Sequence, residues 1–580
     1  MNKEALKNYL VFQYSPLEET FFKNVYKLMP GHYFVYENGK MEKHKYFQIE
    51  YKNDNNNLEN IIDGINDIMK DSIEHHKISD VEVGSFLSSG VDSSYIVSNA
   101  NVSKTYTVGF EGEGGFNEIN DAKDLSNLLG IENTNELITP EMFFDAVPKV
   151  QYYSDEPHAN LSAVPLYYLA RLASRDVKVV LSGEGADELF GGYFLYDVPK
   201  EYTKYNKVPF GIRHLVKNLV CHLPNFKGKH FLIEAGSKIE DKYIGQAFIM
   251  NNDEANDILT DEYKSNLRYQ DITKQKYEDV KDKDEVLKKM YLDMNFWLPS
   301  DILLKADKMT MASSLELRVP FLDKEVFEYS THIGVPYIVN NHTTKYAFRK
   351  AAEKTVPKEW STRPKLGFLV PFKNWLKEDK YYNIVKNVFN KDTASEFFDI
   401  KKINKLFWMT ILFSVLLLVV GVLFVAFPNV SINALSILIA SSLLAFGLIL
   451  VLDYKSRIFY MQFVTLGVIF IILGAILLLH TDIVQSLVPI IIGAYIIVNE
   501  IINMQISLKL MKYSNKLVWA FILSLLSCIC GCFMIIYPTN GALAITLYMG
   551  IVLIIYSVSV LTNMIIFKKH INDIVKIAQN

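Results

Sequence analysis

The chain has 580 residues, of which 50% are hydrophobic, with 64 acidic against 60 basic side chains and a formal net charge of −4. That length calls for more than one domain, and so slight a net charge gives no argument for a nucleic-acid partner. The four cysteines, Cys221, Cys528, Cys530 and Cys532, offer no disulfide framework, so a reducing compartment is expected for the soluble part.

Composition divides the chain sharply. Residues 1–400 are a soluble mixture rich in Lys, Asn, Asp and Glu, and from Leu406 onward long apolar runs alternate with short polar breaks. The first residues, Met-Asn-Lys-Glu-Ala, have no apolar signal core. Residues 1–50 read as short strands, with Leu28–Tyr36 and Met41–Phe47 forming a hairpin across Asn38-Gly39. Residues 55–200 alternate in a βαβ sense: strands near 82–87, 105–110, 135–138 and 177–181, helices near 58–75, 91–100, 118–129, 140–152 and 163–175. This pattern predicts an α/β, doubly wound parallel sheet with ligands at its carboxyl edge. Residues 200–400 read as a mostly helical, polar extension with no strong strand pattern.

Two runs carry chemistry. The strand ending at Leu87 leads into Ser88-Ser-Gly-Val-Asp-Ser-Ser94 and then a helix. Small residues at a strand-to-helix turn leave backbone N–H groups to cradle an anion, with Ser88, Ser93 and Ser94 adding hydroxyls. No Gly-Lys-Ser/Thr follows, so this is not the kinase and GTPase P-loop. About ninety residues later the apolar run Val177–Leu181 leads into Ser182-Gly-Glu-Gly-Ala-Asp-Glu-Leu-Phe-Gly-Gly-Tyr193, with carboxylates at Glu184, Asp187 and Glu188. Acidic side chains beside a phosphate cradle suit a Mg²⁺ ion. Glu74-His-His76 reads as a solvated helix face, because adjacent histidines on a helix point about 100° apart. His158 can titrate near neutral pH. Cys528, Cys530 and Cys532 read as small residues packing in an apolar helix.

Together with Tyr106-Thr-Val-Gly-Phe110, Asp155-Glu-Pro157, Ser162-Ala-Val-Pro165, Lys305-Ala-Asp-Lys-Met309, Glu316-Leu-Arg-Val-Pro-Phe-Leu-Asp323 and Arg363-Pro-Lys-Leu-Gly-Phe368, these runs resemble the synthetase domain of the asparagine synthetase B family, from about residue 5 to about 405. The first run is similar to that family's pyrophosphate loop, usually Ser-Gly-Gly-x-Asp-Ser, with Ser89 in place of the first Gly. The resemblance implies a PP-loop fold of the adenine-nucleotide alpha-hydrolase kind and ATP-dependent amidation of aspartate through β-aspartyl-AMP. It implies ATP phosphates over Ser88, Ser89, Gly90, Asp92, Ser93 and Ser94, adenine near Leu87 and Val108, and Ser182 and Gly183 lining the nucleotide. Asp92 and Asp187 are the expected Mg²⁺ contacts. Lys308 and Lys365 are expected at the α-phosphate and leaving pyrophosphate, and Glu184 at ammonia. Residues 1–50 resemble the tail of the family's glutaminase domain. That domain begins with a Cys after the initiator Met, whereas position 2 here is Asn and no Cys precedes Cys221. The expected nitrogen source is therefore free ammonia or a partner glutaminase. The alternatives are another adenylating amide ligase on this scaffold, such as a β-lactam- or peptide-cyclising relative, or a membrane stress or scaffold protein with a degenerate enzyme half, against which the intact motifs count.

The expected domains are a glutaminase-like remnant over 1–50, a synthetase domain over 51–405 and an all-α membrane domain over 406–570. Six spans are expected near 407–427, 433–452, 458–479, 484–504, 517–537 and 541–566, each long enough for a hydrocarbon core of about 30 Å. Gly421, Gly474 and Gly531 each precede a break by seven residues, at Pro428, Thr481 and Pro538, which predicts three hairpin repeats. The region resembles small six-helix membrane proteins of the acid-resistance HdeD type. Lys401, Lys402, Lys405, Lys455, Arg457, Lys509, Lys512, Lys516, Lys568, Lys569 and Lys576 lie on one set of loops, and the loops near Pro428, His480 and Pro538 have no Lys or Arg. That bias predicts a multi-pass protein of the cell membrane, in contact with the lipid bilayer, with both termini and the catalytic domain cytoplasmic.

Overall fold

The structure, a computed structural model, describes residues 1–52, 57–111, 117–197, 205–221, 228–363, 367, 370–389, 392–452 and a discontinuous set between 460 and 558. The chain divides into two compact units, Met1–Ile400 and Lys401–Asn580.

The first unit is built on five parallel strands: β3 (Val83–Phe86), β4 (Lys104–Phe110), β5 (Glu132–Ile138), β6 (Val179–Leu181) and β7 (Glu316–Arg318). Their order across the sheet is β5-β4-β3-β6-β7. β4 and β6 are buried along nearly their whole length and on both faces, as strands of a covered parallel sheet must be; β6 is wholly apolar, while β4 buries Thr105 and Thr107 among its apolar residues. One face is covered by α2 (Leu58–His76), α3 (Val91–Ala100) and α4 (Ile119–Leu129), through Ile61, Ile65, Met69, Tyr95, Ile96, Ala122 and Leu125. The other is covered by α5 (Pro140–Tyr153) and α6 (Ala163–Ala173), through Phe143, Phe144, Val164 and Leu169 against Tyr106, Val108 and Phe110. This is the doubly wound arrangement expected from the sequence.

The expectation of no strand between 200 and 400 is corrected by β7, which pairs with β6 through Val179↔Glu316, Val180↔Leu317 and Leu181↔Arg318. Only three residues long and flanked by helices, it offers too few alternations to be read by periodicity. The hairpin is present: β1 (His32–Glu37) pairs antiparallel with β2 (Lys40–Lys45). Its two-residue turn has Asn38 at φ 51° and Gly39 at φ 77°, the doubly left-handed geometry that Asn-Gly favours. Ahead of it, α1 (Lys3–Phe12) buries Val11 and Phe12 in the main core.

In the second unit, helices run over Ile400–Ala426, Pro428–Leu452 and Tyr460–Leu479. Helices approach closely where glycine removes a side chain. A Cβ at Gly421 would lie 3.0 Å from the Gly550 carbonyl oxygen, and one at Gly474 would lie 2.9 Å from that of Ala440. Small residues that let backbones meet are a device of membrane helices. Among the described residues one helix, around Pro428–Ala445, is long and apolar enough to cross a membrane, and two if the pair Val468–Leu479 and Thr481–Leu487, bent by 96°, counts as one span. Six were expected; much of the last three, with Gly531 and the cations from Lys455 to Lys576, lies outside the described residues.

Candidate active site

The strand order reverses between β3 and β6, because the chain leaves β3 toward β4 and β5 on one side and reaches β6 and β7 on the other. Loops at the carboxyl ends of two such strands diverge and leave a crevice, the usual ligand site of open α/β sheets. Here the loops are Leu87–Gly90 and Ser182–Gly185, and they open into a cavity of about 370 Å³. They approach closely at Gly183, where a Cβ would lie 3.0 Å from both Asp92 Cβ and the Ser93 nitrogen.

The first loop is braced from within. Ser88 and Ser93 hydroxyls meet at 2.8 Å, the Ser88 N–H donates to Ser93 Oγ at 3.0 Å, and the Gly90 N–H donates to Ser88 Oγ at 3.1 Å. Gly90 caps α3, whose first-turn N–H groups then face the crevice end of the helix. Ser89 Oγ donates to Glu118 Oε1 at 3.0 Å. Burial pushes the Glu118 carboxyl above its usual range, against the pull of Ser89 and of the Arg363 charge. On the α4 side, Arg363 Nη2 pairs with Asp121 Oδ1 at 2.8 Å.

At the centre stands Lys345, 2% exposed. Its Nζ lies 2.5 Å from Asp92 Oδ1 and 2.8 Å from Asp187 Oδ1, joining the two loops. Burial alone would lower its pKa, but the charges of Asp187 and Asp92 outweigh it and hold the ammonium above its ordinary value. Gly192 makes room: a Cβ there would fall on Asp187 Oδ1 and Lys345 Cε. Arg349, one turn on, donates to the carbonyls of Thr344, Ser361 and Arg363. Burial lowers its pKa against the opposing charges of Asp92 and Asp187. Glu188, on the buried side of the same loop, accepts from Tyr193 Oη at 2.6 Å, and burial followed by the Asp187 charge lifts it to about 8.

Of the residues expected at the site, Leu87, Ser88, Ser89, Gly90, Asp92, Ser93, Val108, Ser182, Gly183, Glu184 and Asp187 all line the cavity. Ser94 does not: it is fully buried on α3, behind the loop. Lys308 is not brought to the crevice; it is partly exposed and pairs with Asp155 Oδ2 at 2.5 Å. Lys305, one turn earlier on the helix Leu303–Met311, lines the cavity instead. Lys365 lies outside the described residues. His158 stands behind the wall rather than in it. Its Nε2 is 3.1 Å from Asp301 Oδ1, while Asp301 Oδ2 accepts from the cavity-lining Asn160 at 2.7 Å and lies 3.9 Å from Lys305 Nζ. Burial would raise the Asp301 pKa, but His158, Lys305 and Asn160 together hold it below the ordinary value.

Sequence reasoning missed Lys345, Arg349, Glu118, Asn160 and Lys305 as site residues. For the first the sequence offers only a basic residue ahead of the short turn Tyr346-Ala-Phe348, with Arg349 and Lys350 following, a pattern that an exposed helix start shows equally. Lys345 also holds a left-handed backbone, φ 55°, which a non-glycine residue adopts at some cost.

The set can accept a polyphosphate and a divalent cation. Asp92 and Asp187 converge on one nitrogen, so they are close enough to share a cation. Mg²⁺ is commonly held by one or two carboxylates, with waters and phosphate oxygens completing its shell, and this donor pair fits it. No group of three or more His, Cys, Asp or Glu that could cage a metal occurs among the described residues.

The asparagine synthase family matches residues 64–412. A glutamine amidotransferase domain matches residues 1–47, and a short repeat of unknown function (DUF308) matches 412–463 and 465–536. Asparagine synthetase [glutamine-hydrolyzing] 1 of Bacillus subtilis (strain 168) is 41% identical over 385 residues, 65% of this chain and 61% of the relative. A relative in Mycobacterium tuberculosis (strain ATCC 25618 / H37Rv), named after the same enzyme, is 36% identical over 389 residues, 65% of this chain and 59% of its own length. More distantly, amidase chry2 of Gibberella zeae is 23% identical over 406 residues. The chain thus spans about three fifths of the length of these relatives. With the two motif loops placed at the switch point of the sheet and the family matching more than half of its residues, the chain belongs to the asparagine synthase family.

Proposed function

We propose that this chain forms an amide by ATP-dependent activation of a carboxylate: aspartate is converted to asparagine through β-aspartyl-AMP, with ammonia, free or delivered by a partner glutaminase, as the nitrogen donor. The observation that carries the reading is the Lys345 clamp between Asp92 and Asp187, at the mouth of an anion-cradling helix and beside Glu184.

A carboxylate is a poor acyl donor until it carries a good leaving group. The side-chain carboxylate oxygen of aspartate attacks the α-phosphorus of ATP, the bond from that phosphorus to the bridging oxygen breaks, and pyrophosphate departs. Lys345, Arg349 and the first-turn N–H groups of α3 take up the charge that develops on the leaving oxygens. Leu87 and Val108 supply apolar contact for the base. Ammonia then attacks the acyl carbon, the carbon–oxygen bond to AMP breaks, and the surplus proton passes to Glu184 or to water. Asp92 and Asp187 would hold Mg²⁺, which when bound neutralises the phosphates. Lys305, which lines the cavity with its Nζ 3.9 Å from Asp301 Oδ2, is assigned in this reading to the α-carboxylate of the amino-acid substrate. Orientation accounts for much of the rate, because both steps join bound partners.

The test is pyrophosphate and AMP release by the purified chain with ATP, Mg²⁺, aspartate and ammonium. Equal pyrophosphate release without aspartate would refute the acceptor. Glutamine-supported turnover by the pure chain would refute the nitrogen source.

For the second unit we infer six membrane spans with both ends, and the catalytic unit, on the cytoplasmic side. The one-sided distribution of Lys and Arg between the apolar runs and the Gly421–Gly550 and Gly474–Ala440 approaches support it.

A further inference from the structure

Behind the cavity wall, one buried carboxylate is shared by three groups. Asp301 is fully buried, near the end of the stretch Asp293–Ile302, which is wound as a π-helix with Pro299 inside it. Such winding is rare and concentrates at functional sites. Asp301 Oδ1 lies 3.1 Å from His158 Nε2, while Asp301 Oδ2 accepts from Asn160 Nδ2 at 2.7 Å and lies 3.9 Å from Lys305 Nζ. Asn160 is locked in turn, its Oδ1 accepting from the Ser162 N–H at 3.1 Å and the Ser162 hydroxyl at 2.7 Å. His158 is fixed through its main chain. Gln151 Nε2 donates to its carbonyl at 2.8 Å, and its N–H donates to Gln151 Oε1 at 3.1 Å.

Two features of this cluster have no use in packing alone. His158 is 4% exposed, and its Nδ1 has no hydrogen-bond partner among the described residues. A buried polar atom left so calls for an explanation, and the acidic group the ring meets is Asp301. Lys305 is 7% exposed and lines the cavity, yet its ammonium makes no hydrogen bond among the described residues. A buried ammonium in that state is costly unless a ligand supplies the acceptors. Charge-assisted N–H···O contacts close to about 2.7–2.9 Å, so Lys305 stands off from Asp301 by about 1 Å. Both oxygens of the carboxylate are already faced, Oδ1 by the His158 ring and Oδ2 by the Asn160 amide.

We propose that His158 is a positioning residue, sharing the Asp301 carboxylate so that the Lys305 ammonium is left to the cavity for the α-carboxylate of a free amino acid. This rests on the amide-forming reading of the cleft and narrows its acceptor. Without the imidazole, Asp301 Oδ1 is free to turn onto the Lys305 ammonium. The cation that meets the substrate is then neutralised from behind. An acceptor whose α-carboxyl is already an amide or a peptide bond offers Lys305 no charge and leaves the ammonium desolvated and unpaired. Acceptors whose chain continues from the α-carboxyl are therefore disfavoured.

The probes are L-aspartate and its α-amide, which keeps the reacting side-chain carboxylate, given to the full chain with ATP, Mg²⁺ and ammonium. In the wild type, kcat/KM for pyrophosphate release should favour aspartate at least about tenfold, and Lys305→Met should erase the preference. His158→Leu and His158→Phe fill the space without ring nitrogens. Each should raise the aspartate KM at least about tenfold while kcat and the ATP KM move less than about twofold, the pattern of lost uniform binding. Adding Asp301→Asn should bring that KM back to within about threefold of wild type, because a neutral amide does not draw the ammonium. A merely structural histidine would gain nothing from a second buried substitution. His158→Gln, which keeps an N–H toward Asp301, should retain the wild-type KM. A folded apolar variant with the wild-type aspartate KM, or no recovery on adding Asp301→Asn, overturns the proposal. So does equal use of the two acceptors by the wild type, a comparison that needs no variant to fold. If no acceptor supports pyrophosphate release, the amide-forming reading fails, and equilibrium dialysis of labelled aspartate with α,β-methylene ATP decides the rest. Affinity lost in His158→Leu and recovered with Asp301→Asn keeps the proposal; no binding to the wild type overturns it.

Discussion

Replacing Lys345 by Met is the sharpest test of the site. The side chain is 2% exposed and its ammonium meets Asp92 at 2.5 Å and Asp187 at 2.8 Å. At an effective dielectric of about 20, each pair is worth roughly 6 kcal/mol of attraction, offset by several kcal/mol of desolvation. Methionine keeps the stem and removes the charge, leaving two carboxylates facing each other. Stranding one side of a buried pair typically costs about 3–5 kcal/mol. The variant should therefore lose that much stability in denaturant titration, read by a probe within Met1–Ile400. Adding Asp187→Asn should restore part of the loss, since a neutral amide no longer opposes Asp92. Pyrophosphate release should fall by about 10²–10³, the usual effect of removing one donor from a developing oxyanion. A variant within about 1 kcal/mol of wild type, or one made less stable still by Asp187→Asn, would refute the clamp.

Asp293 is fully buried and accepts from Tyr196 and Tyr243 at 2.5 Å each and from Gln246 at 2.6 Å. Burial lifts its pKa from 3.8 to about 6 against the pull of those donors. The folded carboxyl holds its proton more tightly than the unfolded one, so stability falls as pH rises from 3.8 to 6, by about 3 kcal/mol, and is flat above. Asp293→Asn should remove that slope; a variant with the wild-type pH dependence would sink the assignment. For the second unit, single cysteines at Asn429 and Asp482, with the four native ones replaced, should label from outside intact cells, and one at Ser456 should not. Labelling at Ser456 with silence at Asp482 would invert the topology and separate the catalytic unit from cytoplasmic ATP.

The centre of the sheet was legible because the runs at β3 and β6 are short, largely apolar and ended by small residues, whereas only the apolar end of β5, which begins Glu132-Asn-Thr-Asn135, could be read. Val177–Leu181 before Ser182-Gly183 is the plainest case. The two loops were legible because small residues and carboxylates at a strand end have few other uses. What escaped notice depends on tertiary contact. β7 contributes three residues, one of them apolar, to a sheet whose neighbouring strand ends 135 positions earlier, at Leu181. Lys345 reaches the loops from a further segment with no motif around it. The choice between Lys305 and Lys308 turned on how one helix is rotated, which a spacing of three does not reveal, since such residues are neighbours on the same side. Asn38-Gly39 shows the opposite extreme, where two residues determine the turn locally.

The late arrival of β7 and Lys345 has a bearing on biogenesis. The sheet edge beside β6 and the cation between the loops are both supplied by residues 316–345, yet the first long apolar helix begins at Ile400. Domains generally fold in order of synthesis. The last pieces of the cleft are thus translated ahead of the apolar helices. A nascent chain stalled between residues 370 and 400 would already contain every described residue that lines the crevice, Arg363 and Gly367 included, whereas one stalled before 316 would have an open sheet edge beside two carboxylates that Lys345 has yet to join. Pausing while the apolar helices are being made should therefore leave an assembled cleft waiting, and pausing earlier should leave an aggregation-prone one.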